Sequence, residues 1–544
     1  MQKYILLVYL IFFICLNLYA QQRISFSEHG SEVVYKSSDS FSSYEIKYKG
    51  KIMLTQDEGG IAEISPNGYF KVSKTTFGNR RAVIIESNRN GELRHRFYSG
   101  RKEIDFFDEG KKWLEDIMPD VLLKTGIGAE ERAKRFYKEG GLSKVLEEMT
   151  VIESSSVKSR YFEALLSLPL KQGEAGIIAK KIGYTISSSS TKGKLFRKYA
   201  QQFLAHESSI EPFFDGVSRI GSSSETGRVL RSILQKNKLS VNTLIKLLKT
   251  SNNISSSSER GNILREVNKV FVNNEAFTDA YFDSHRGISS SSEKGRVLRD
   301  LMEKKTLNAQ TMRLLLKSAS NISSSSEQGA VLRLAIEKGI HNNQEVQDAF
   351  FEALARLTST SEKGSVLRKL LNEATLTEAS SLLVFKNIQR ISSSSEKGAT
   401  LKKSFELVGK NAETDKAFFD AVRSIDSSSE KSNVLYSFIS GNYDMNNNML
   451  IALINTSKTI SSTSERSRVF SSLISSNSEM DTKTKIALIN AIKSISSSSE
   501  KSRILIKFAN ELSIDTSEVK EAYKEAARTI SSDSEYRRVM ENIF

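Results

Sequence analysis

An isoleucine or leucine followed by a serine-rich turn and, in most cases, a glutamate recurs along the chain. The leading residues are Ile152, Ile186, Ile220, Ile254, Ile288, Ile322, Leu357, Ile391, Ile425, Ile460, Ile495 and Ile530, spaced 34 or 35 residues apart throughout. So fixed a period marks a repeat architecture, in which each unit is one supersecondary element stacked on the next. A chain of 544 residues is too long for a single compact core, and the period selects stacking as the way to bury its apolar surface.

One unit shows the physics. Asn308 to Ile322 places Met312, Leu315, Leu316, Ala319 and Ile322 on one helical face. Ser323 to Ser326 make a turn, and Glu327 opens a second helix whose inner face is Val331, Leu332, Ala335 and Ile336. Ser324 and Glu327 have the spacing of a capping box, in which the hydroxyl accepts from an orphan backbone N–H and the carboxylate reaches back to the cap amide. The serine runs are short and in phase, which favours turns and caps over flexible linkers. A hairpin of this kind cannot bury its own apolar face, so units must stack. The expected fold is mostly α: an α-solenoid of about twelve 34–35-residue helical hairpins over residues 151–544, preceded by a small antiparallel β domain. The four prolines in the whole chain agree with it.

The β domain is expected at residues 21–106, where apolar and polar residues alternate. Tyr44–Tyr48 and Lys51–Leu54 flank Lys49-Gly50, a candidate hairpin turn, and Asn90-Gly91 is a turn signal before Leu93–Tyr98. About six strands are predicted. Residues 107–150 switch to helical spacing as a connector, with Trp113, Leu114 and Ile117 on one face, an interruption at Pro119, and glycine breaks at Gly126, Gly128 and Gly140-Gly141. Met1 to Ala20 reads as a secretory signal peptide: Lys3, an apolar run too short for a membrane span, and a small residue at the cleavage position. Cys15 is the only cysteine, so the exported chain would hold neither a disulfide nor a thiol site.

Two columns stand out in the repeat. Seven residues after the leading residue is a small one: Gly193, Gly227, Gly261, Gly295, Gly329, Gly364 and Gly398, then Ser432, Ser467 and Ser502. Glycine inside a helix costs about 1 kcal/mol relative to alanine, so its recurrence predicts a packing need, a close approach by a neighbouring helix. Four residues further on is a basic ladder: Arg197, Arg231, Arg265, Arg299, Arg333, Arg368 and Lys402, replaced in later units by Tyr436, Ser471 and Ile506. Three readings compete for it. The ladder is a candidate site for an anionic ligand, since the guanidinium fork suits carboxylate or phosphate. It is equally a solvated face, with Glu303, Glu337 and Glu406 at i,i+4 from Arg299, Arg333 and Lys402, or a set of pairs between adjacent units.

No catalytic signature accompanies these columns. There is no His-Glu-x-x-His helix, no Gly-x-Ser-x-Gly elbow and no phosphate-cradling Gly-Lys-Ser/Thr loop. His29, His95, His206, His285 and His341 share no repeat column and read as surface residues. An enzyme is not expected, nor a metal or other cofactor. The formal charge of +15 suggests anionic neighbours, while export disfavours nucleic acid.

The stretch Ile64-Ser-Pro-Asn-Gly-Tyr-Phe-Lys-Val72, then Thr125-Gly-Ile-Gly-Ala-Glu-Glu-Arg132, then hairpins with an Ile-Ser-Ser-x-x-Glu-Lys turn, resembles a group of bacterial envelope proteins. Those pair a small β region with HEAT-like helical repeats, and in some the region resembles the extracytoplasmic part of membrane-embedded antibiotic-sensor metallopeptidases. The peptidase motif and its membrane helices have no counterpart here, so the resemblance implies an envelope-located interaction module without proteolytic activity. The expected function is an exported, non-enzymatic binding scaffold that recognises an acidic protein or an anionic envelope polymer. The alternative is a structural spacer or assembly component of the envelope that docks through the β domain.

Overall fold

The computed structural model describes residues 23–29, 32–340, 343–441, 443–476 and 479–543; the expected signal peptide, Met1 to Ala20, lies outside the described residues. The chain divides into two compact units, the first ending at Ile254 and the second running Ser255–Phe544.

The first unit opens with β1 (Arg23–His29), β2 (Glu32–Ser38), β3 (Ser42–Lys49), β4 (Ile52–Leu54), β5 (Ile61–Ile64), β6 (Tyr69–Thr76), β7 (Asn79–Ser87), β8 (Leu93–Ser99) and β9 (Lys102–Ile104). Among the described residues, seven of them form one antiparallel sheet in the order β1-β2-β3-β6-β7-β8-β9, and β4 and β5 pair separately. Alternation decides which face is buried. Ile46, Val72 and Val83 lie opposite one another across β3, β6 and β7 and point into the core. The helix Lys111–Thr125 covers that face with Leu114, Ile117, Met118 and Val121, and Trp113 stands 5.8 Å from Phe97.

The turn at Asn90-Gly91 joins β7 to β8 as expected. Lys49-Gly50 does not close a hairpin: β3 pairs with β2 and β6, and β4 with β5. The alternating run of β6 offers β3 an eight-residue register from Ser42 to Lys49, which three-residue β4 cannot match, and Gly50 at φ +90 turns the chain out of the sheet. Pro119 also departs from expectation. The helix runs through it, because the side chains on both sides, Ile117, Met118, Val121 and Leu122, are held against the sheet; that burial outweighs one lost backbone hydrogen bond. Gly140 and Gly141 do break the next helix, Ala129–Glu148, with Gly141 at φ +67.

Helical hairpins follow. In the first unit the array includes Ser155–Leu166, Glu174–Thr185, Ser189–Lys198, Glu207–Ser218, Ser223–Lys236 and Val241–Ser251; in the second it runs from Ser257–Lys269 to Asp533–Met540. Within the second unit, Ser291–Lys304 packs on Ser257–Lys269 and on Ser325–Glu337, while Ala309–Ala319 packs on Glu275–Arg286 and on Gln344–Arg356. Like thus stacks on like, and every leading apolar residue from Ile288 to Ile530 is buried. The architecture is the α-solenoid that the period requires.

Candidate functional site

The basic ladder sits on the second helix of each hairpin, so its setting is built from the serine turn that opens that helix. The second serine is the N-cap: Ser324 Oγ accepts from Glu327 N at 3.5 Å, Ser290 Oγ from Glu293 N at 3.4 Å and Ser393 Oγ from Glu396 N at 3.3 Å. The fourth serine's hydroxyl lies beside it, as for Ser326 at 3.0 Å from Ser324 Oγ. The third serine reaches the next hairpin. Ser257 Oγ lies 2.7 Å from Ser289 Oγ and accepts from Ser289 N at 3.1 Å and from Ser290 N at 3.3 Å. Ser291 with Ser323, Ser428 with Ser461 and Ser498 with Ser531 repeat the hydroxyl contact at 2.7–2.8 Å. The cap amide of Ser324 is accordingly taken by Ser291 Oγ at 3.3 Å. That bond replaces the expected back-reach of Glu327, whose carboxylate is left for a more distant partner.

The partner is the ladder. Arg197 Nη1 donates to Glu225 Oε2 at 2.8 Å, Arg265 Nη1 to Glu293 Oε2 at 2.8 Å and Arg299 Nη1 to Glu327 Oε2 at 2.8 Å. Arg333 to Glu362 and Arg368 to Glu396 are both 2.6 Å, and Lys402 Nζ lies 3.3 Å from Glu430 Oε1. Arg231 occupies the equivalent place on Ser223–Lys236. Each of these six pairs joins a cation of one hairpin to the first helical turn of the next. Of the three readings of the ladder, pairing between adjacent units describes these six contacts; the partners of Arg299, Arg333 and Lys402 are Glu327, Glu362 and Glu430 instead of the i,i+4 acids.

The glycine column explains the choice of partner. A Cβ on Gly295 would stand 2.5 Å from Glu327 Oε2, on Gly329 2.4 Å from Glu362 Oε2, and on Gly364 2.3 Å from Glu396 Oε2. The carboxylate lies in the space a side chain would fill, one helical turn from the arginine that holds it. The close approach expected at these glycines is therefore made by a charged side chain from the next hairpin.

A second basic column, directly before the small residue and in most units directly after the glutamate, was not singled out in the sequence. Lys397 Nζ donates to Ser424 O at 2.7 Å, Lys192 Nζ to Arg219 O at 2.8 Å, and Lys501 Nζ to Thr529 O at 3.2 Å. These carbonyls end the first helix of the following hairpin, where orphan acceptors and the negative end of the helix dipole favour a cation. Burial pushes the amines of Lys192, Lys363, Lys397, Lys431 and Lys501 below the ordinary lysine value. The signal was in plain view: a lysine or arginine precedes the small residue at Arg260, Lys294, Lys363, Lys397, Lys431, Arg466 and Lys501.

Other candidate chemistry is sparse. Among the described residues no group of three or more His, Cys, Asp and Glu side chains is arranged to hold a metal ion, and no helix is long and apolar enough to cross a membrane. His206 is exposed and His95 half-buried, 4.6 Å from the Phe106 ring. His285 is not a surface residue: it is buried, its Nε2 is 3.1 Å from Lys294 O, and burial pushes its pKa down to about 4. It packs where other units place an aliphatic or small residue. The side chains of His29 and His341 lie outside the described residues. A cleft of about 650 Å³ separates Ile52–Glu58 from Ala129–Glu148. Its two arginines are both held by one acid, Glu58 Oε1 accepting from Arg132 at 3.0 Å and from Arg135 at 2.5 Å.

No family model matches the chain, and no curated protein matches it.

Proposed function

We propose that the chain is a non-catalytic scaffold of the cell envelope, an array of helical hairpins stiffened by its own joints, whose contacts with other molecules are made through the N-terminal β domain. The observation that carries this reading is the pairing of the ladder. An anionic ligand bound there would compete for guanidinium groups already held by a glutamate that bridges two hairpins, and displacing that glutamate would loosen the array. The serine, glycine, glutamate and lysine columns all serve the same joints, so the repeated motif is accounted for by construction. The resemblance of the β region and repeats to envelope proteins, and the signal-like Met1–Ala20 segment, support the location.

The competing reading, recognition of an acidic protein or anionic polymer by the ladder, is separated by one experiment. The full chain carrying Arg265→Gln, Arg299→Gln and Arg333→Gln is compared with the parent for melting temperature and for polyglutamate binding across a salt series. The scaffold reading expects a lower melting temperature with unchanged binding. Weaker polyanion binding with an unchanged melting temperature would overturn it.

A further inference from the structure

We propose that the end of the β sheet carrying Phe41 and Phe77 inserts into an anionic lipid surface, and so supplies the attachment that the scaffold reading, on which this rests, assigns to the β domain. The two residues sit on neighbouring turns. Phe77 N donates to Phe41 O at 2.9 Å, and the rings lie 5.7 Å apart. They are 55% and 77% exposed, respectively, beyond the last core side chain of β3, Tyr44.

Phe77 is held there against local preference. It and Gly78 form the two-residue turn between β6 and β7, with φ +49 and +82. Such a turn favours Asn-Gly, and a bulky side chain at positive φ is sterically strained. The ring gains little from the rest of the chain in return, being the most exposed large apolar side chain described. Burial in something outside the protein would offset the strain.

The charge around the tip says what that is. Arg80 and Arg81 follow the turn on β7, Lys74 precedes it on β6, and Arg101 sits on the β8–β9 turn, which Gly100 N ties to Arg80 O at 2.7 Å. All four are exposed, and none has an ion-pair partner among the described residues. The acid at this end, Asp39, is occupied by the Phe41 and Ser42 amides at 2.8 and 2.7 Å and by the Ser42 hydroxyl at 2.7 Å. Two protruding rings with basic side chains behind them match a bilayer interface, where aromatic side chains sit at headgroup depth and cations meet lipid phosphates. A protein partner of ordinary affinity needs roughly 800 Å² of matched surface on each side, against about 150–250 Å² for each aromatic side chain.

The test is co-sedimentation of the full chain with phosphatidylglycerol–phosphatidylcholine vesicles and with phosphatidylcholine alone. The parent is expected to bind the anionic vesicles and to be released by salt. Phe77→Asn, which installs the favoured turn residue, and Phe41→Ser are each expected to weaken binding about tenfold with the melting temperature kept or raised. Arg80→Glu with Arg81→Glu is expected to abolish it. Equal binding by the parent and both phenylalanine variants would overturn the proposal. So would a parent that ignores vesicles but self-associates through the tip. The ladder triple variant is run alongside: if it, and not the tip variants, loses the vesicles, both the tip proposal and the scaffold reading fall; a lower melting temperature with vesicle binding kept supports both.

Discussion

The hairpins of the second unit join in two ways. From Arg265 to Lys402 the small column is glycine and the cation of one hairpin holds the glutamate of the next at 2.6–3.3 Å. In the last hairpins the small column is Ser432, Ser467 and Ser502, and the ladder position becomes Tyr436, Ser471 and Ile506. There, among the described residues, the glutamates keep only cations of their own helices, Glu465 with Arg468 at 3.2 Å and Glu500 with Arg503 at 2.6 Å, whereas Glu293 pairs both with Arg296 of its own helix at 2.7 Å and with Arg265 of the hairpin before. Ser432 Oγ instead donates to the Glu465 carbonyl at 3.2 Å, and the Arg468 guanidinium lies 5.4 Å from the Tyr436 ring centre. The two columns change together because they are two walls of one socket. Once a serine occupies the space of the carboxylate, an arginine one turn on has nothing to hold.

The sharpest way to break this comparison is to fill a socket. Gly329→Leu is expected to expel Glu362 and strand Arg333, lowering stability by about 3–4 kcal/mol in urea unfolding of the full chain. Leucine at Ser467 meets no inter-hairpin ion pair and should cost visibly less; equal losses would show that the sockets are not distinct. Acid offers a second separation. His285 belongs to the glycine block, and the equivalent positions in the last hairpins are Ser457, Ile492 and Ala527. Its folded pKa of about 4 lies below the ordinary 6.5, so its contribution is complete above pH 6.5 and is lost as the pH falls toward 4. Up to about 3 kcal/mol should disappear over that window. His285→Gln should flatten the profile, read from hydrogen exchange in Glu275–Arg286 against Thr482–Lys493.

The lysine column spans both blocks, so it should not discriminate. Lys397→Met and Lys501→Met are each expected to lose about 1–2 kcal/mol, because each leaves a helix-end carbonyl without its donor. A large difference between them would mean that the blocks differ in more than the socket. Smaller still, Arg333→Gln should cost about 1 kcal/mol, and a cycle with Glu362→Gln should assign most of it to the pair.

Much of the fold was legible. Each hairpin is a local object, and its apolar spacing, its serine cap and its turn lie within one unit, so Met312, Leu315 and Leu316 declared their buried face directly. The β region was legible as strands but not as pairings. Gly50 looks like a hairpin turn to any rule that sees only its neighbours, while the competition between β4 and β6 for the edge of β3 is settled by the longer register. Pro119 was misjudged for the same reason, since the burial that carries the helix through it comes from the sheet.

The candidate site divides along that line. The sequence alone determined the period, the identity of the glycine, serine and basic columns, and their joint change near Ser432, because each is a fact of spacing along the chain. Only the tertiary structure decided what the columns face. Glu327 to Arg299 is a contact across 28 residues, set by how one hairpin lies on the next. Within its own helix the same glutamate could as well have closed a capping box, and the third serine of the preceding hairpin had already taken that amide.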